Sequence, residues 1–190
     1  MIEKLSSIDK NLFFTINSWH TPWLDPLMTF FSGQLIWLPF IGLFMLLAAK
    51  QLDRKSLYVF ILFLILAMIA SDVTSSYILK NLVERLRPCR VPEIKAVIHS
   101  FGQKCGGRFG FVSSHMANSV CIIAFTYFTL KFKTHKFHLL WILPLIVGFS
   151  RIYLGVHYPG DLIGGTIVGM TWASILAFMF KKKNLGGQST

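Results

Sequence analysis

Acidic residues are scarce in this sequence. The 190 residues include 8 Asp and Glu against 19 Lys and Arg, which gives a formal net charge of +11 at pH 7. On a soluble protein this excess would suggest nucleic-acid binding, which needs a basic stripe with exposed aromatic side chains between the cations. No such stripe is present, so we expect no nucleic-acid partner. The sequence also lacks internal repeats and low-complexity tracts, so nothing indicates a repeat architecture.

Charged residues of either sign are few, at 14% of the chain, whereas apolar types reach 54% and mean hydropathy is +0.58. This content is too apolar for an ordinary soluble protein, and it lies in blocks suited to crossing about 30 Å of hydrocarbon as helices. We predict an all-α fold, a polytopic membrane helix bundle in one domain over residues 1–190. The five predicted transmembrane helices are Leu27–Ala49, Ser56–Leu79, Met116–Leu130, Phe137–Phe149 and Asp161–Phe180.

Residues 1–20 follow a different pattern, with apolar side chains at helical spacing and polar ones between them. The apolar positions are Leu5, Ile8, Leu12, Phe13 and Ile16. This pattern predicts an amphipathic helix lying in the membrane interface. The segment lacks the basic start and long apolar run that are typical of a signal peptide. A bundle of six spanning helices is the alternative.

Clusters of lysine and arginine follow the odd-numbered predicted spans. They are Lys50, Arg54 and Lys55; Lys131, Lys133 and Lys136; and Lys181, Lys182 and Lys183. Alternating helices put all three clusters on one side, which the positive-inside rule makes cytoplasmic. The tail 181–190 is then cytoplasmic, and the loop 81–110 lies on the outer side.

The outer loop breaks this rule, because cations there have no topological reason to accumulate. It carries Arg85, Arg87, Arg90, Lys95, Lys104 and Arg108, with Lys80 just before it. Binding of an anion is the natural explanation. The loop also holds Cys89 and Cys105, and outside the cytoplasm a disulfide is permitted. We expect the two to be bonded, which would stabilise the fold by about 3 kcal/mol; two unpaired thiols are the alternative.

Three polar stretches lie at the outer ends of predicted spans, far apart in sequence but on one membrane face. They read KNLVERLRP from Lys80 to Pro88, FVSSHMANS from Phe111 to Ser119, and SRIYLGVHYPGD from Ser150 to Asp161. Ionisable side chains at a membrane edge are costly and indicate function. Guanidinium and ammonium groups bind phosphoryl oxygens, which predicts a phosphate site formed by Lys80, Arg87 and Arg151.

The second and third stretches add groups that transfer protons. Ser113 or Ser114 can cap the helix that follows, and a helix start directs free N–H groups at an anion. His157 beside Asp161 forms a carboxylate-oriented imidazole, the arrangement of a nucleophile or base. His115 lies in the first turn of span three.

Each of these residues also has an ordinary structural interpretation when it is considered alone. Lys80 can be an interfacial anchor, His115 a structural side chain, and Asp161 a simple helix cap. A zinc site of His115, His157 and Asp161 has acceptable ligand types, but three neighbouring cations would repel the metal. Glu84 is the only carboxylate in the three stretches besides Asp161, and Mg²⁺ and Ca²⁺ sites need more oxygen ligands than these two supply. We therefore expect no metal and no cofactor.

The three stretches together resemble the motifs of the type-2 phosphatidic acid phosphatase superfamily. Lys80 precedes Arg87-Pro88 with the spacing of the first motif, and Ser150-Arg151, His157 and Asp161 keep the spacing of the third. The second motif differs, because Val112 and Ser114 replace a proline and a glycine, while Ser113 and His115 are kept.

The resemblance implies a role for each matching residue. His157 would attack phosphorus and form a phosphohistidine, Asp161 would orient it, and His115 would protonate the leaving group and then activate water. The phosphoryl oxygens would be held by Lys80, Arg87, Ser113, the Ser114 N–H and Arg151. Asp72, within span two, would support the bundle through a partner that the sequence does not identify.

The expected partners are the bilayer and a membrane lipid phosphate. The first expectation is an undecaprenyl pyrophosphate phosphatase in a bacterial inner membrane, with its active site on the periplasmic side. Alternatives within the family are a lipid A phosphatase and a phosphatidylglycerol phosphate phosphatase. A vanadate-binding haloperoxidase and a non-enzymatic protein that binds or transports anionic lipid are further alternatives. The oligomeric state stays open.

Overall fold

Helices make up most of the described part of the protein. The computed structural model describes residues 2–33, 35–102, 105–132 and 135–186. Its α-helices are α1 Ile2–Asn17, α2 Leu24–Ser32, α3 Trp37–Gln51, α4 Arg54–Asp72, α5 Leu79–Val83, α6 Pro92–Lys95, α7 Ser114–Thr129, α8 Ile142–Tyr153 and α9 Pro159–Gly186. A π-helical turn, Val73–Ile78, joins α4 to α5, and 3₁₀ turns span Pro88–Arg90 and His135–Trp141. The predicted all-α class is confirmed for the described residues, which contain no strand.

Some predicted features lie outside the described residues. These are Met1 at the start of the interfacial segment, Lys104 in the outer loop, Lys133 in the second cytoplasmic cluster, and residues 187–190 of the tail.

The core lies where α4, α7 and α9 pack against one another. One phenylalanine from each helix meets the other two, since the Phe60 ring centroid lies 5.4 Å from that of Phe125 and 5.9 Å from that of Phe180. All three side chains are buried. Burying side chains of this size contributes about 1.5–3 kcal/mol each in a soluble protein, whereas in a membrane the same contacts act through close packing.

Two glycines one turn apart bring α9 close to α7. A Cβ added to Gly165 would lie 2.5 Å from the carbonyl oxygen of Ser113, and one added to Gly169 would lie 2.3 Å from that of Ala117. Small residues at this spacing allow membrane helices to approach closely. The start of α7 is thereby fixed against the first turns of α9, where two of the polar stretches meet.

The first predicted span is not one straight helix. The uncharged block Leu27–Ala49 is divided between α2 and α3, which are inclined by 51° to each other. The chain is extended at Gly33, where φ is −74° and ψ is 160°. The hydropathy of a block reports its polarity but not its backbone path, so the bend was not visible in the sequence.

Two helical stretches among the described residues are long and apolar enough to cross a membrane, Arg54–Val83 and Pro159–Lys183. The bent pair of α2 and α3 gives a third if the two are counted as one span. Helix α7 has 16 residues and Phe137–Tyr153 is a shorter apolar helix. The chain is an integral membrane protein, and the count of five spans stays a prediction.

Helix α1 is amphipathic, as predicted, but it ends at Asn17 rather than at residue 20. Phe13 is fully buried against Tyr158, with ring centroids 5.2 Å apart, whereas Leu5 and Leu12 are exposed. Asn17 closes the contact, because its amide donates to the carbonyl of Tyr153 at 2.7 Å. One face of α1 therefore contacts the protein, whereas Leu5, Ile8 and Leu12 are exposed; the position of this helix in the membrane interface stays a prediction.

The outer loop has structure of its own. The preceding helix continues to Val83, four residues beyond the predicted end of span two, and Glu84 follows in the left-handed conformation with φ of 51°. Cys89 and Cys105 are joined by a disulfide, with their Cα atoms 5.9 Å apart. An antiparallel bridge pairs Leu86 with Phe109, so the two ends of the loop lie side by side.

Candidate active site

A tight turn after α8 presents His157. Gly155 has φ of +73°, a conformation that side chains with a Cβ rarely adopt. The chain folds back there, so the N–H groups of Val156 and His157 both reach the carbonyl oxygen of Arg151, at 3.1 and 3.3 Å. The geometry of this turn therefore links Arg151 to His157.

Hydrogen bonds on both ring nitrogens hold the His157 side chain, which is buried. Nδ1 lies 3.2 Å from Oδ2 of Asp161, and Nε2 lies 3.2 Å from a terminal guanidinium nitrogen of Arg87. A carboxylate only accepts and a guanidinium only donates, so Nδ1 carries the proton and Nε2 the lone pair. The backbone N–H of Tyr158 also donates to Oδ2 of Asp161, at 3.0 Å.

A second set of contacts holds the other oxygen of Asp161. Arg85 donates to Oδ1 of Asp161 at 3.0 Å and to Oδ2 of Asp9 at 2.5 Å. Its guanidinium carbon also lies 4.1 Å from the centre of the Tyr158 ring. Asp9 in turn accepts the backbone N–H of Gly160 at 2.7 Å, in the first turn of α9.

Sequence analysis did not place Asp9 or Arg85 in the site. Arg85 was only one of several cations in the outer loop, and Asp9 was one of the polar residues on the amphipathic helix. The sequence contained one indication of this contact. Arg85 is a cation in the outer loop, two residues before Arg87, and a cation at that place needs an acidic partner. The pairing itself joins residues 76 positions apart and is not a local pattern.

The start of α7 brings the second stretch beside the first. Ser113 is the N-cap, since its Oγ accepts the backbone N–H of Met116 at 3.5 Å, and its own N–H donates to the carbonyl of Asp161 at 2.9 Å. Lys80 Nζ donates to Oγ of Ser114 at 3.2 Å. The residue that departs from the family motif thus contacts the lysine of the first motif.

His115 lies in the first turn of α7 at the wall of a cavity. Its ring makes no hydrogen bond with any residue that the structure describes, whereas its carbonyl accepts from Ser119. Both ring nitrogens are therefore available to a molecule in the cavity.

The two arginines of the site are buried. Arg87 is 7% exposed and donates from Nε to the carbonyl of Phe109 at 3.1 Å. Burial lowers the pKa of the Arg87 guanidinium from its ordinary value. Arg151 is 4% exposed and contacts the hydroxyl of Ser32. Its buried Nε has no partner among the described residues, so one donor of this cation is unused.

All eight predicted catalytic and phosphate-binding residues lie in the connected region formed by the α4–α5 end, the start of α7 and the α8–α9 turn. Asp72 lies at the edge of this group, where it contacts Asn118 and Ser76 and lines a cavity together with Ser114 and His115. Within the described part of the chain, no group of three His, Cys, Asp or Glu side chains is arranged to hold a metal ion. The site is rich in cations and contains one oriented imidazole and one unpaired imidazole, which suits phosphoryl transfer.

Comparison with known proteins places these residues in a family context. The model of the PAP2 superfamily matches residues 60–185. A lipid A 4′-phosphatase of Bacteroides thetaiotaomicron is 34% identical over 172 residues, which cover 89% of this chain and 75% of the relative. A lipid A 4′-phosphatase of Porphyromonas gingivalis is 30% identical over 172 residues, covering 89% and 71%.

A solved structure has the same fold. The crystal structure of a transmembrane PAP2-type phosphatidylglycerolphosphate phosphatase from Bacillus subtilis matches with a TM-score of 0.70 at 23% identity. The match covers 94% of this chain and 87% of that one.

Proposed function

Because this chain belongs to the PAP2 superfamily, we propose that it is an integral-membrane lipid phosphatase, a phosphoric monoester hydrolase that acts through a phosphohistidine. The observation that carries this proposal is the buried His157 ring, held by Asp161 at Nδ1 and facing Arg87 with Nε2. An imidazole fixed in this tautomer has its lone pair directed at the cationic region, where an anionic phosphate binds.

The reaction proceeds in two steps. Nε2 of His157 attacks phosphorus while the bond to the lipid oxygen breaks. His115, which becomes protonated when the negative phosphate offsets the neighbouring charges of Lys80, Arg87 and Arg151, gives its proton to that oxygen. His115 then takes a proton from water, whose oxygen attacks the phosphohistidine and releases inorganic phosphate. Asp161 keeps the imidazole oriented and offsets the positive charge that forms on it.

Five groups hold the phosphoryl oxygens in this proposal. Lys80, Arg87 and Arg151 supply charge, so no metal is needed to offset the developing negative charge. The unpartnered Nε of Arg151 supports this role, because a buried donor without an acceptor is costly until a ligand oxygen satisfies it. Ser113 donates its hydroxyl proton while its oxygen caps α7, and Ser114 offers its backbone N–H.

The protonation state of His157 supports its role as nucleophile. Burial, and after it the charges of Arg87, Arg151 and Lys80, holds the pKa of His157 well below its ordinary 6.5. The imidazole is therefore neutral at pH 7, with the lone pair that the attack requires.

The substrate that we propose is a lipid A-type phosphate monoester. The expectation drawn first from the sequence was undecaprenyl pyrophosphate, but two relatives that cover 89% of this chain are lipid A 4′-phosphatases. The alternative substrate is therefore better supported than the first one.

We place the site on the periplasmic face of a bacterial inner membrane, in a bundle of five spans with α1 at the interface. The clusters Lys50–Lys55 and Lys181–Lys183 support this topology through the positive-inside rule. A membrane-impermeant maleimide should label Val97→Cys in intact cells and Gln51→Cys only after lysis. Cys89 and Cys105 do not react with the maleimide, because they are bonded to each other. The reverse labelling pattern contradicts the orientation.

Activity is tested with purified protein in detergent and a panel of lipid phosphates. Phosphate release should survive chelator, stop with vanadate and disappear in His157→Ala. Unaltered turnover in His157→Ala refutes the proposed nucleophile. Binding of the panel lipids without any phosphate release favours the non-enzymatic alternative, an anionic-lipid binding or transport protein.

A further inference from the structure

A cavity of about 250 Å³ lies between α3, α4 and α7, next to the phosphate site. Ser114 and His115 line it, whereas His157 does not. In-line transfer puts the leaving oxygen opposite the nucleophile, and His115 is the group that we propose protonates this oxygen. The cavity therefore lies on the side of the lipid alcohol.

One part of the cavity wall is apolar and includes Trp37, Met68 and Ile122. The part near His115 is polar, because Asp72 and Asn118 meet there. The Asn118 amide donates from Nδ2 to Oδ1 of Asp72 at 2.9 Å, and the Ser76 hydroxyl donates to the same oxygen at 3.2 Å. Asp72 lies where α4 passes into the π-helical turn, a distortion that is frequent at functional sites.

This polar pair includes an acceptor that no donor among the described residues satisfies. The Asp72 carboxylate only accepts, so the Asn118 amide must direct its NH₂ toward it, and the amide oxygen of Asn118 then has no partner among the described residues. No ion pair of the described residues includes Asp72. The hydrogen-bond partners of Asp72 are neutral, and the charge of Lys80, in the phosphate site, also acts on it. A carboxylate within the stretch Arg54–Val83 indicates a functional site.

We propose that Asp72 and Asn118 form a subsite that binds hydroxyl or amide N–H donors on the leaving alcohol, next to the ester oxygen. The substrate class is then a phosphate carried by an amino sugar on a lipid, whose ring bears such donors. Hydrolysis of a polyprenyl diphosphate releases a polyprenyl phosphate, which presents phosphate oxygens there rather than hydroxyl or N–H donors and leaves the acceptors unsatisfied. A site built to hydrogen-bond a substrate rejects the analogue that lacks the donor. This inference rests on the proposed phosphatase function.

The test compares three lipids with the purified full-length protein in mixed micelles. They are a glucosamine-based lipid phosphate, its deoxy analogue with ester in place of amide linkages and no free hydroxyl groups, and a polyprenyl diphosphate. We expect kcat/KM for the hydroxylated lipid to exceed that for the deoxy analogue about tenfold, as one hydrogen bond provides. Asn118→Leu and Asp72→Asn should remove this preference, whereas Thr171→Val, a polar-to-apolar control on the exposed side of α9, should retain it.

The outcomes separate this inference from the proposed function. Equal kcat/KM for the two sugar lipids in the unaltered protein overturns the inference, as does preference for the polyprenyl diphosphate, and neither affects the phosphatase assignment. The comparison of lipids in the unaltered protein decides the matter even if a variant does not fold. Absence of hydrolysis of all three lipids overturns both the inference and the proposed substrate.

Discussion

Helix α1 is predicted to be part of the catalytic machinery, and Asp9→Asn tests this directly. The Asp9 carboxylate accepts from Arg85 at 2.5 Å and from the N–H of Gly160 at 2.7 Å. It thereby holds the arginine that contacts Asp161, and it places a negative charge at the start of α9. The asparagine has the same shape but carries no charge.

The magnitude follows from these two contacts. A hydrogen bond to a charged group contributes about 1.5–3 kcal/mol, and an acidic group at a helix start adds about 0.3–1 kcal/mol. Asparagine retains one acceptor for Gly160, so the net loss is about 2 kcal/mol, which for a chain of this length lowers Tm by about 4–8 °C. We also expect kcat/KM to fall about tenfold, because Arg85 no longer fixes Asp161 and small misplacements reduce the rate steeply.

The assay is thermal unfolding in detergent, followed by kcat/KM on one lipid phosphate. Glu3→Gln is the matched control, since Glu3 is an exposed acid on the same helix with no hydrogen bond among the described residues. It should keep both Tm and kcat/KM. The reasoning is refuted if Asp9→Asn keeps Tm within about 1 °C and kcat/KM within about twofold of the unaltered protein.

Three further predictions concern packing, pH and the disulfide. Gly169→Ala should lower Tm, because the new Cβ would lie 2.3 Å from the carbonyl of Ala117, while Gly42→Ala, which meets nothing within 4 Å, should not. Because the pKa of His157 is lowered, the fall of kcat/KM on the acid side, where the ring becomes protonated, should have its midpoint below pH 6.5; a midpoint above 6.5 contradicts this. Cys89→Ser should reduce the free energy of unfolding by about 3 kcal/mol in denaturant titrations; an unaltered value contradicts this.

The sequence was sufficient to predict the helical class and the grouping of the three polar stretches. Residues such as His157 and Asp161 are unusual at a membrane edge, and their spacing is a local property that the chain displays directly. The ion pairs of Arg85 were not predictable, because they depend on how α1 packs over α9. The bend between α2 and α3 was missed for a related reason, since tertiary contacts rather than hydropathy set the path of an apolar block.

Some of the predicted site could be located but not explained from the sequence. Ser114 replaces the glycine of the second motif, and in the structure its hydroxyl accepts a hydrogen bond from Lys80. The partners of Asp72 are also side chains from another helix or another turn, namely Asn118 and Ser76. Contacts of this kind join positions that no periodicity connects, so only the three-dimensional arrangement reveals them.

The most direct test of the central claim is to trap the covalent intermediate. The purified protein is mixed with a lipid phosphate labelled with ³²P, quenched in alkali, where phosphohistidine survives, and digested for mass spectrometry. The mechanism predicts one labelled peptide, phosphorylated at His157, and loss of the label in His157→Ala. Turnover without a labelled protein, or label on another residue, contradicts it.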